Sequence, residues 1–453
     1  MNPREDAEAI FGAAVARVAP GRMIEEALSI GKGGSVLTVR TEAEEASFEL
    51  SRFDRIFAAG MGKASAAMAV GLEAALGERL SGGIVAVKEG HLAPLAKIRL
   101  LEAGHPVPDA RSVAAARATL DLGASLGTRL TERDLVIVLV SGGGSAILCA
   151  PAPGLELADK AATTKLLLAS GATINEVNCV RKHLSAVKGG RLAAALAPAT
   201  VLALVLSDVV GDDLDAIASG PTVPDPTTFA DALSIVKRYG IEARLPSAVR
   251  THLEAGAAGK VPDTPKPVDP IFGRVRTILV GTNRLALVAA EAEARRRGYS
   301  TLVLSSRITG EAREVAMVYL GIGKDMAASG FPLKRPACVI AGGETTVTLR
   351  GEGKGGRNQE MALAFLAALG RSPRDGEDLF FLSAGTDGND GPTDAAGAVA
   401  SLELHRKALA LRLDPDAALV RNDSYTFFEA LGGLLKTGPT NTNVCDVQVL
   451  LLP

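Results

Sequence analysis

One pattern constrains this chain more than any other. A short, unbroken apolar run ends in a loop of Gly, Ser, Thr or Asp, often followed by an Ala-rich stretch of helical character. Residues 55–59 run into Gly60-Met61-Gly62-Lys63, and 64–76 follow as a helix. Residues 135–140 (LVIVLV) run into Ser141-Gly142-Gly143-Gly144-Ser145, and 201–206 (VLALVL) into Ser207-Asp208. Further along, 277–280 meet Gly281-Thr282-Asn283-Arg284, 338–341 meet Gly342-Gly343-Glu344-Thr345-Thr346, and 380–383 meet Ala384-Gly385-Thr386-Asp387-Gly388. Apolar runs without alternation belong to strands covered on both faces. Alternating with helices, they predict an α/β protein with mostly parallel sheets. Ligands of such sheets bind at the carboxyl ends of the strands, where all six loops fall. Glycines there let a backbone approach a ligand closely, although tight strand-to-helix turns alone would also use them.

Composition removes several function classes. With 49 Lys+Arg against 51 Asp+Glu the chain is nearly neutral, which argues against binding nucleic acid or a membrane surface. Aromatics are 4% and Trp is absent, so stacking on bases is unsupported. Cys149, Cys179, Cys338 and Cys445 lie too far apart for a disulfide framework or zinc site, which implies a reducing compartment. The start, MNPREDAEAIF, is acidic and polar, and the longest apolar stretch, 193–206, is interrupted by Pro198 and Thr200. A cytoplasmic protein without signal peptide or membrane span is expected.

The length, 453 residues, suggests two or three domains. Four prolines within 261–270 (VPDTPKPVDP) mark the clearest boundary. A larger N-terminal domain is expected over 1–260, a linker over 261–270 and a smaller C-terminal α/β domain over 271–453, with the ligand site in a cleft between the two lobes.

The familiar nucleotide and hydrolase motifs are missing. No GxxxxGK[ST] occurs, no HRD or DFG, and no GxSxG. Gly60-Met61-Gly62 is followed by Ser65 where a dinucleotide fingerprint needs its third glycine. Five histidines, at 91, 105, 183, 252 and 405, form no metal-ligand cluster. The positive signals are loops that mix glycines, hydroxyls and single charges. The 141–145 loop offers successive backbone N–H groups ahead of an expected helix, suited to phosphate or carboxylate. Lys63, behind two glycines at a helix start, is placed to reach an anionic substrate; a solvated surface lysine is the plain alternative. Asp208, Asp212 and Asp213 follow a strand end as a partly hydrated Mg²⁺ would require, although helix capping accounts for at least one of them. Arg357, after Gly353-Lys354-Gly355-Gly356, fits bidentate contact with phosphate or carboxylate. The 384–394 segment is dense in turn residues and carboxylates but lacks the terminal Glu of a calcium loop. Arg181, Lys182, His183, Lys188 and Arg191 form a basic stretch read as a solvated helix face.

Taken together, several segments are similar to one family. They are GMGKAS at 60–65, EAGHPVPDARSV at 102–113, VSGGGSA at 140–146, NCVRKHLSAVKGGRLA at 178–193, LSDVVGDDLDAIASGPTVPDPTTF at 206–229, GGETTVTLRGEGKGGRNQE at 342–360, AGTDGNDGPTDAAGA at 384–398 and GPTNTNVCDV at 438–447. The chain resembles the class of bacterial and animal glycerate kinases whose C-terminal region is the MOFRL domain. The resemblance implies ATP-dependent phosphorylation of D-glycerate to 2-phosphoglycerate with Mg²⁺, on an N-terminal Rossmann-like lobe and a smaller C-terminal α/β lobe. It also implies Lys63 and Arg357 as the important basic residues. Relatives have carried the name hydroxypyruvate reductase, so an NAD(P)H-dependent reductase is the alternative.

On this reading Lys63, Arg357 and Asp208 are catalytic. Gly60, Gly62, Ser141, Gly142, Gly143, Gly144, Ser145, Asn283, Glu344 and Asp387 line the substrate and nucleotide. Asp208, Asp212 and Asp387 are the candidate Mg²⁺ ligands. The expected partners are glycerate and ATP, with no nucleic acid and no membrane; a homodimer is left open.

Overall fold

The computed structural model describes residues 2–31 and 33–453. Among these, β1 (Leu28–Ile30), β2 (Val36–Arg40) and β3 (Glu45–Glu49) form a small antiparallel sheet. A six-stranded sheet follows from β4 (Arg55–Met61), β5 (Leu80–Lys88), β6 (Ile98–Ala103), β7 (Asp134–Val140), β8 (Thr200–Leu206) and β9 (Val275–Gly281). A second six-stranded sheet is built from β10 (Ser300–Ile308), β11 (Ala337–Gly343), β12 (Phe380–Gly385), β13 (Gly397–Ser401), β14 (Leu434–Leu435) and β15 (Asp446–Leu452). Each of the six apolar runs read from the sequence is one of these strands. No helix among the described residues is long and apolar enough to cross a membrane.

The chain divides into two compact units, residues 20–207 with 212–280, and the chain up to Ala19 with 208–211 and 281–453. In the first, strand order is β6-β5-β4-β7-β8-β9, with β4 to β8 paired in parallel. β7 is buried along its whole length, as a run of DLVIVLV without polar alternation requires. Its single charge, Asp134, sits at the amino end and is paired with Arg55 through two contacts of 2.8 Å. The chain leaves β4 toward β5 and β6, then returns to place β7, β8 and β9 on the other side. The order therefore reverses between β4 and β7, the switch point at which open α/β sheets bind ligands.

The second sheet departs from the mostly parallel expectation. Its order is β10-β11-β15-β12-β13-β14, and only β10 with β11 is parallel among its pairs. The last strand, DVQVLLL, inserts antiparallel between β11 and β12 and is buried throughout. The helix Arg357–Arg371 is buried from Asn358 to Leu369, as expected of a helix apolar on all sides. Phe365 on it stacks on Phe381 of β12 at 4.7 Å between ring centroids.

The domain limits read from the sequence also move. The helix Pro3–Arg17 belongs with the C-terminal residues: buried Asp6 is paired with Arg297 at 2.6 Å and accepts a 2.8 Å hydrogen bond from Tyr299. The Pro-rich 261–270 segment folds back onto the first unit, where Asp225 N donates to Pro265 O at 2.9 Å and Thr264 Oγ1 to Asp225 at 3.0 Å. The chain then adds β9 to the first sheet and crosses to the second unit only at Gly281.

Candidate functional site

At the switch point of the first unit, the loops after β4 and β7 are tied together. Gly62 has φ +133°, and a side chain there would collide with Ser141. Its left-handed backbone lets Lys63 N donate to Gly142 O at 2.9 Å, while Ala64 N donates to Ser141 Oγ at 3.1 Å. Ser141 Oγ also lies 3.1 Å from Ser65 Oγ. Ser141 is thus a buried brace between two loops, with its hydroxyl spent inside the protein. Gly60 is likewise structural, because a Cβ there would come within 2.7 Å of Leu139 O on the neighbouring strand. The helix expected after 145 is a single turn, Gly144–Ile147, too short for a substantial dipole.

What remains at this corner is positive charge. Gly143, at φ +79°, provides the space occupied by the Lys63 and His105 side chains; a Cβ would lie 3.2 Å from Lys63 Cγ and 2.8 Å from His105 Nε2. Gly144 is closed in by Met61 and Ala218. His91 hydrogen-bonds the Lys63 backbone, and Lys88 stands close enough to act on both histidines. Burial, then the neighbouring lysines, hold both imidazoles below their usual value, so they are neutral donors or acceptors near pH 7. The sequence reading missed both. GHPVP at 104–108 was noted only as a family segment, and nothing in its local pattern places His105 against Gly143.

The basic 181–191 stretch is not a solvated face. Lys182, His183 and Lys188 are buried, on and just after the helix Ile174–His183. Lys182 pairs with Asp215 and Asp225, and His183 Nε2 lies 2.9 Å from Asp263. Lys188 Nζ instead reaches the 141–145 loop, donating to Ser145 Oγ at 2.6 Å and Ser145 O at 3.1 Å. Charge periodicity cannot reveal burial when a helix is enclosed on all sides by its own unit.

The second unit presents the opposite sign. Arg357 opens its helix and is held in a fork by Asp446, at 2.6 Å from Nε and 2.9 Å from Nη2, while Nη1 lies 2.8 Å from Glu344. Glu344 follows β11 and Asp446 begins β15, paired in register with Gly343 and Gly385. Asp446 is fully buried; burial pushes its carboxyl up and the guanidinium opposes that push. Burial also raises Glu344. The amides at the start of the helix are already occupied, since Asp390 accepts from Asn358 N at 3.1 Å and Gln359 N at 2.8 Å. Burial raises the Asp390 carboxyl to about 6. The sequence reading found Arg357 and Glu344 but missed Asp446 and Asp390. The signal for Asp446 was present: a carboxylate heading an otherwise apolar strand.

Asn283 acts as a clamp, its amide nitrogen donating to Val444 O at 2.8 Å and Asp446 O at 2.9 Å, while its Oδ1 is buried without a partner. Asp387, half-buried, closes its own turn by accepting from Asn389 N at 3.0 Å. Asp208 follows β8, and its carbonyl accepts from Cys445 Sγ at 3.3 Å, which fastens it to the second unit. Asp212 belongs to the first unit. Among the described residues no group of three or more His, Cys, Asp or Glu side chains is arranged to hold a metal. Asp208, Asp212 and Asp387 remain the candidate Mg²⁺ ligands. Their acidic surroundings still suit Mg²⁺, which keeps several waters and needs only one or two protein carboxylates beside a phosphate. Next to Arg357 is a cavity of about 450 Å³ lined by Val347, Leu349, Gly355 and Pro392, with the buried Thr345 hydroxyl unpartnered.

The chain matches a domain of unknown function (DUF4147) over residues 6–254 and the MOFRL family over 337–446. It is similar to a protein of Agrobacterium vitis provisionally named hydroxypyruvate reductase, at 44% identity over 88% of this chain and 87% of the relative. It is also similar to the glycerate 2-kinase of Pyrococcus horikoshii, at 38% identity over 100% of this chain and 98% of the relative. The crystal structure of glycerate kinase from Thermotoga maritima shares the fold, with a TM-score of 0.86, 37% identity and 99% of each chain covered.

Proposed function

We propose the following division of labour for a chain that belongs to the glycerate 2-kinase family with a MOFRL region, whose members transfer phosphate from ATP to glycerate. The cationic corner of the first unit takes the anionic acceptor, and the Arg357 region of the second unit takes the nucleotide. One observation carries this reading. At the switch point, Lys63, Lys88, His91 and His105 gather around the glycines. The anionic groups of the substrates match this concentration of positive charge.

Phosphoryl transfer asks mainly for positioning and charge neutralisation. The C2 hydroxyl of glycerate attacks the γ-phosphorus of ATP, ADP leaves, and the hydroxyl proton passes to a carboxylate, for which Asp208 is our assignment. Lys63 stabilises charge growing on the transferring phosphoryl oxygens. Arg357, held flat by Asp446 and Glu344, offers its exposed edge to the nucleotide phosphates, and the cavity beside it offers apolar walls to the base. Glu344 and Asp387 would hold Mg²⁺, mostly through water, and the ion when bound neutralises phosphate charge.

The reductase reading is second. Beyond the missing third glycine, the amide of Ala64, ahead of the helix Ser65–Leu76, is taken by Ser141, where a dinucleotide pyrophosphate would need it. Lys63→Ala should lower kcat by about 10²–10³-fold without changing the melting temperature. A folded Lys63→Ala protein with wild-type turnover would refute the assignment.

A further inference from the structure

The mechanism above leaves a group of buried cations unused. Lys160, Arg181 and Lys188 gather behind the 141–145 loop in the first unit, and no carboxylate forms an ion pair with any of them among the described residues. The Cys149 side chain lies close to all three and favours their charge, and their hydrogen-bond acceptors are neutral oxygens. Lys160 Nζ donates to Ala150 O at 3.3 Å, Arg181 Nη1 to Asn178 Oδ1 at 3.3 Å, and Lys188 Nζ to Ser145 as described. The remaining nitrogens of the Arg181 guanidinium are not among the buried unpartnered atoms, so they stay open to a ligand. Lys182, on the same helix, has two aspartates instead. Buried charges are normally paired, because desolvation costs several kcal/mol per ion. Three like charges together add mutual repulsion: burial first, then Arg181 and Lys160, hold the Lys188 ammonium well below its ordinary value.

The cluster is aimed at one place. Ser145 Oγ receives Lys188 and lies 2.9 Å from Ser219 Oγ, which in turn lies 3.3 Å from Asn178 Oδ1, the acceptor of Arg181. Ser219 and the preceding Ala218 adopt left-handed backbone (φ +60° and +50°), a strain that fixes this network beneath the loop. Ser145 and Arg181 are only half-buried, so the network reaches the surface there. Gly143, over which Lys63 lies, is two residues away along the same loop.

We propose that Arg181 and Lys188, through Ser145 and Asn178, form the subsite that binds the carboxylate of the acceptor, leaving Lys63 to the transferring phosphoryl group. This rests on the glycerate kinase reading. A planar carboxylate matches the guanidinium fork, and one negative charge supplies the missing counter-ion.

Steady-state kinetics of Arg181→Gln and Lys188→Met, with glycerate and ATP varied separately, test it. The expected result is a KM for glycerate raised by about 10- to 100-fold and a KM for ATP within about twofold of wild type. Glycerate should raise the melting temperature of the wild type and not of the variants, whereas ATP should protect all three. Lys188→Met should also melt no lower than wild type without ligand, because it removes an unpaired buried charge; a structural lysine would give a marked loss. An unchanged KM for glycerate in both variants, or a defect confined to ATP, would overturn the subsite while the kinase reading stands. Absence of glycerate phosphorylation by the wild type would instead remove the reading beneath it.

Discussion

Replacing Arg357 by Met separates chemistry from architecture. The guanidinium makes two hydrogen bonds of 2.6 and 2.9 Å to Asp446, a carboxylate with 0% side-chain exposure at the head of the central strand β15. Removing the cation leaves that carboxylate buried and unpaired, a change that costs about 3–5 kcal/mol in comparable pairs. Arg357 itself is one-third exposed and Asp446 can take up a proton, so the lower end of that range applies. At about 2–4 °C per kcal/mol, the second unit of Arg357→Met should melt roughly 6–12 °C below wild type. Adding Asp446→Asn removes the stranded charge and should recover most of that loss, while activity stays absent in both proteins. Differential scanning calorimetry with a parallel ADP-release assay reads both effects. If the single variant melts within about 2 °C of wild type, or the double variant no higher than the single one, the ion pair is not the support described here.

Other expectations follow from the same geometry. Gly62→Ala forces a side chain onto Ser141 at φ +133°, so it should cost about 1–3 kcal/mol and reduce turnover by displacing Lys63; wild-type stability and rate together would contradict this. Burial raises Asp390 to about 6, so between the unfolded value near 4 and pH 6 the folded state binds more protons than the unfolded state. The stability from its protonated form is therefore present below about pH 4 and lost as pH rises through 6, about 3 kcal/mol in all. Urea unfolding of wild type and Asp390→Asn across pH 4–7 should show the difference between them changing over that window, and a constant difference would refute it. Chelation of Mg²⁺ should stop turnover without lowering the apo melting temperature, since no three-ligand protein cage exists among the described residues; a chelator-induced drop in melting temperature would be the contrary result.

The strands were legible in the sequence because both their faces are covered: β4, β7 and β8 read as apolar runs long before pairing is known. The loops that end them were legible for the same reason, and Lys63 and Arg357 stood out as single charges after glycines. Strand order was not legible, since apolar runs do not say which neighbour they choose, and it is the order that makes the loops after β4 and β7 a pair. Long-range polar partners were invisible too: Asp446 meets Arg357 across 89 residues, and Lys188 meets Ser145 across 43. The basic 181–191 stretch misled because charge usually marks solvent, and only the enclosing elements show otherwise. The Pro-rich 261–270 segment misled for a related reason, as prolines exclude a sheet interior without excluding a packed surface segment held by Asp225 and Thr264.

The proposed reaction moves phosphate from ATP to the C2 hydroxyl of glycerate. Incubating the purified protein with D-glycerate, ATP and Mg²⁺, and following products by ³¹P NMR, tests it directly, with hydroxypyruvate and NADH as a parallel reaction. ADP and 2-phosphoglycerate should form in equal amounts, with no NADH oxidation. The appearance of 3-phosphoglycerate, or of NADH consumption without ADP, would contradict it.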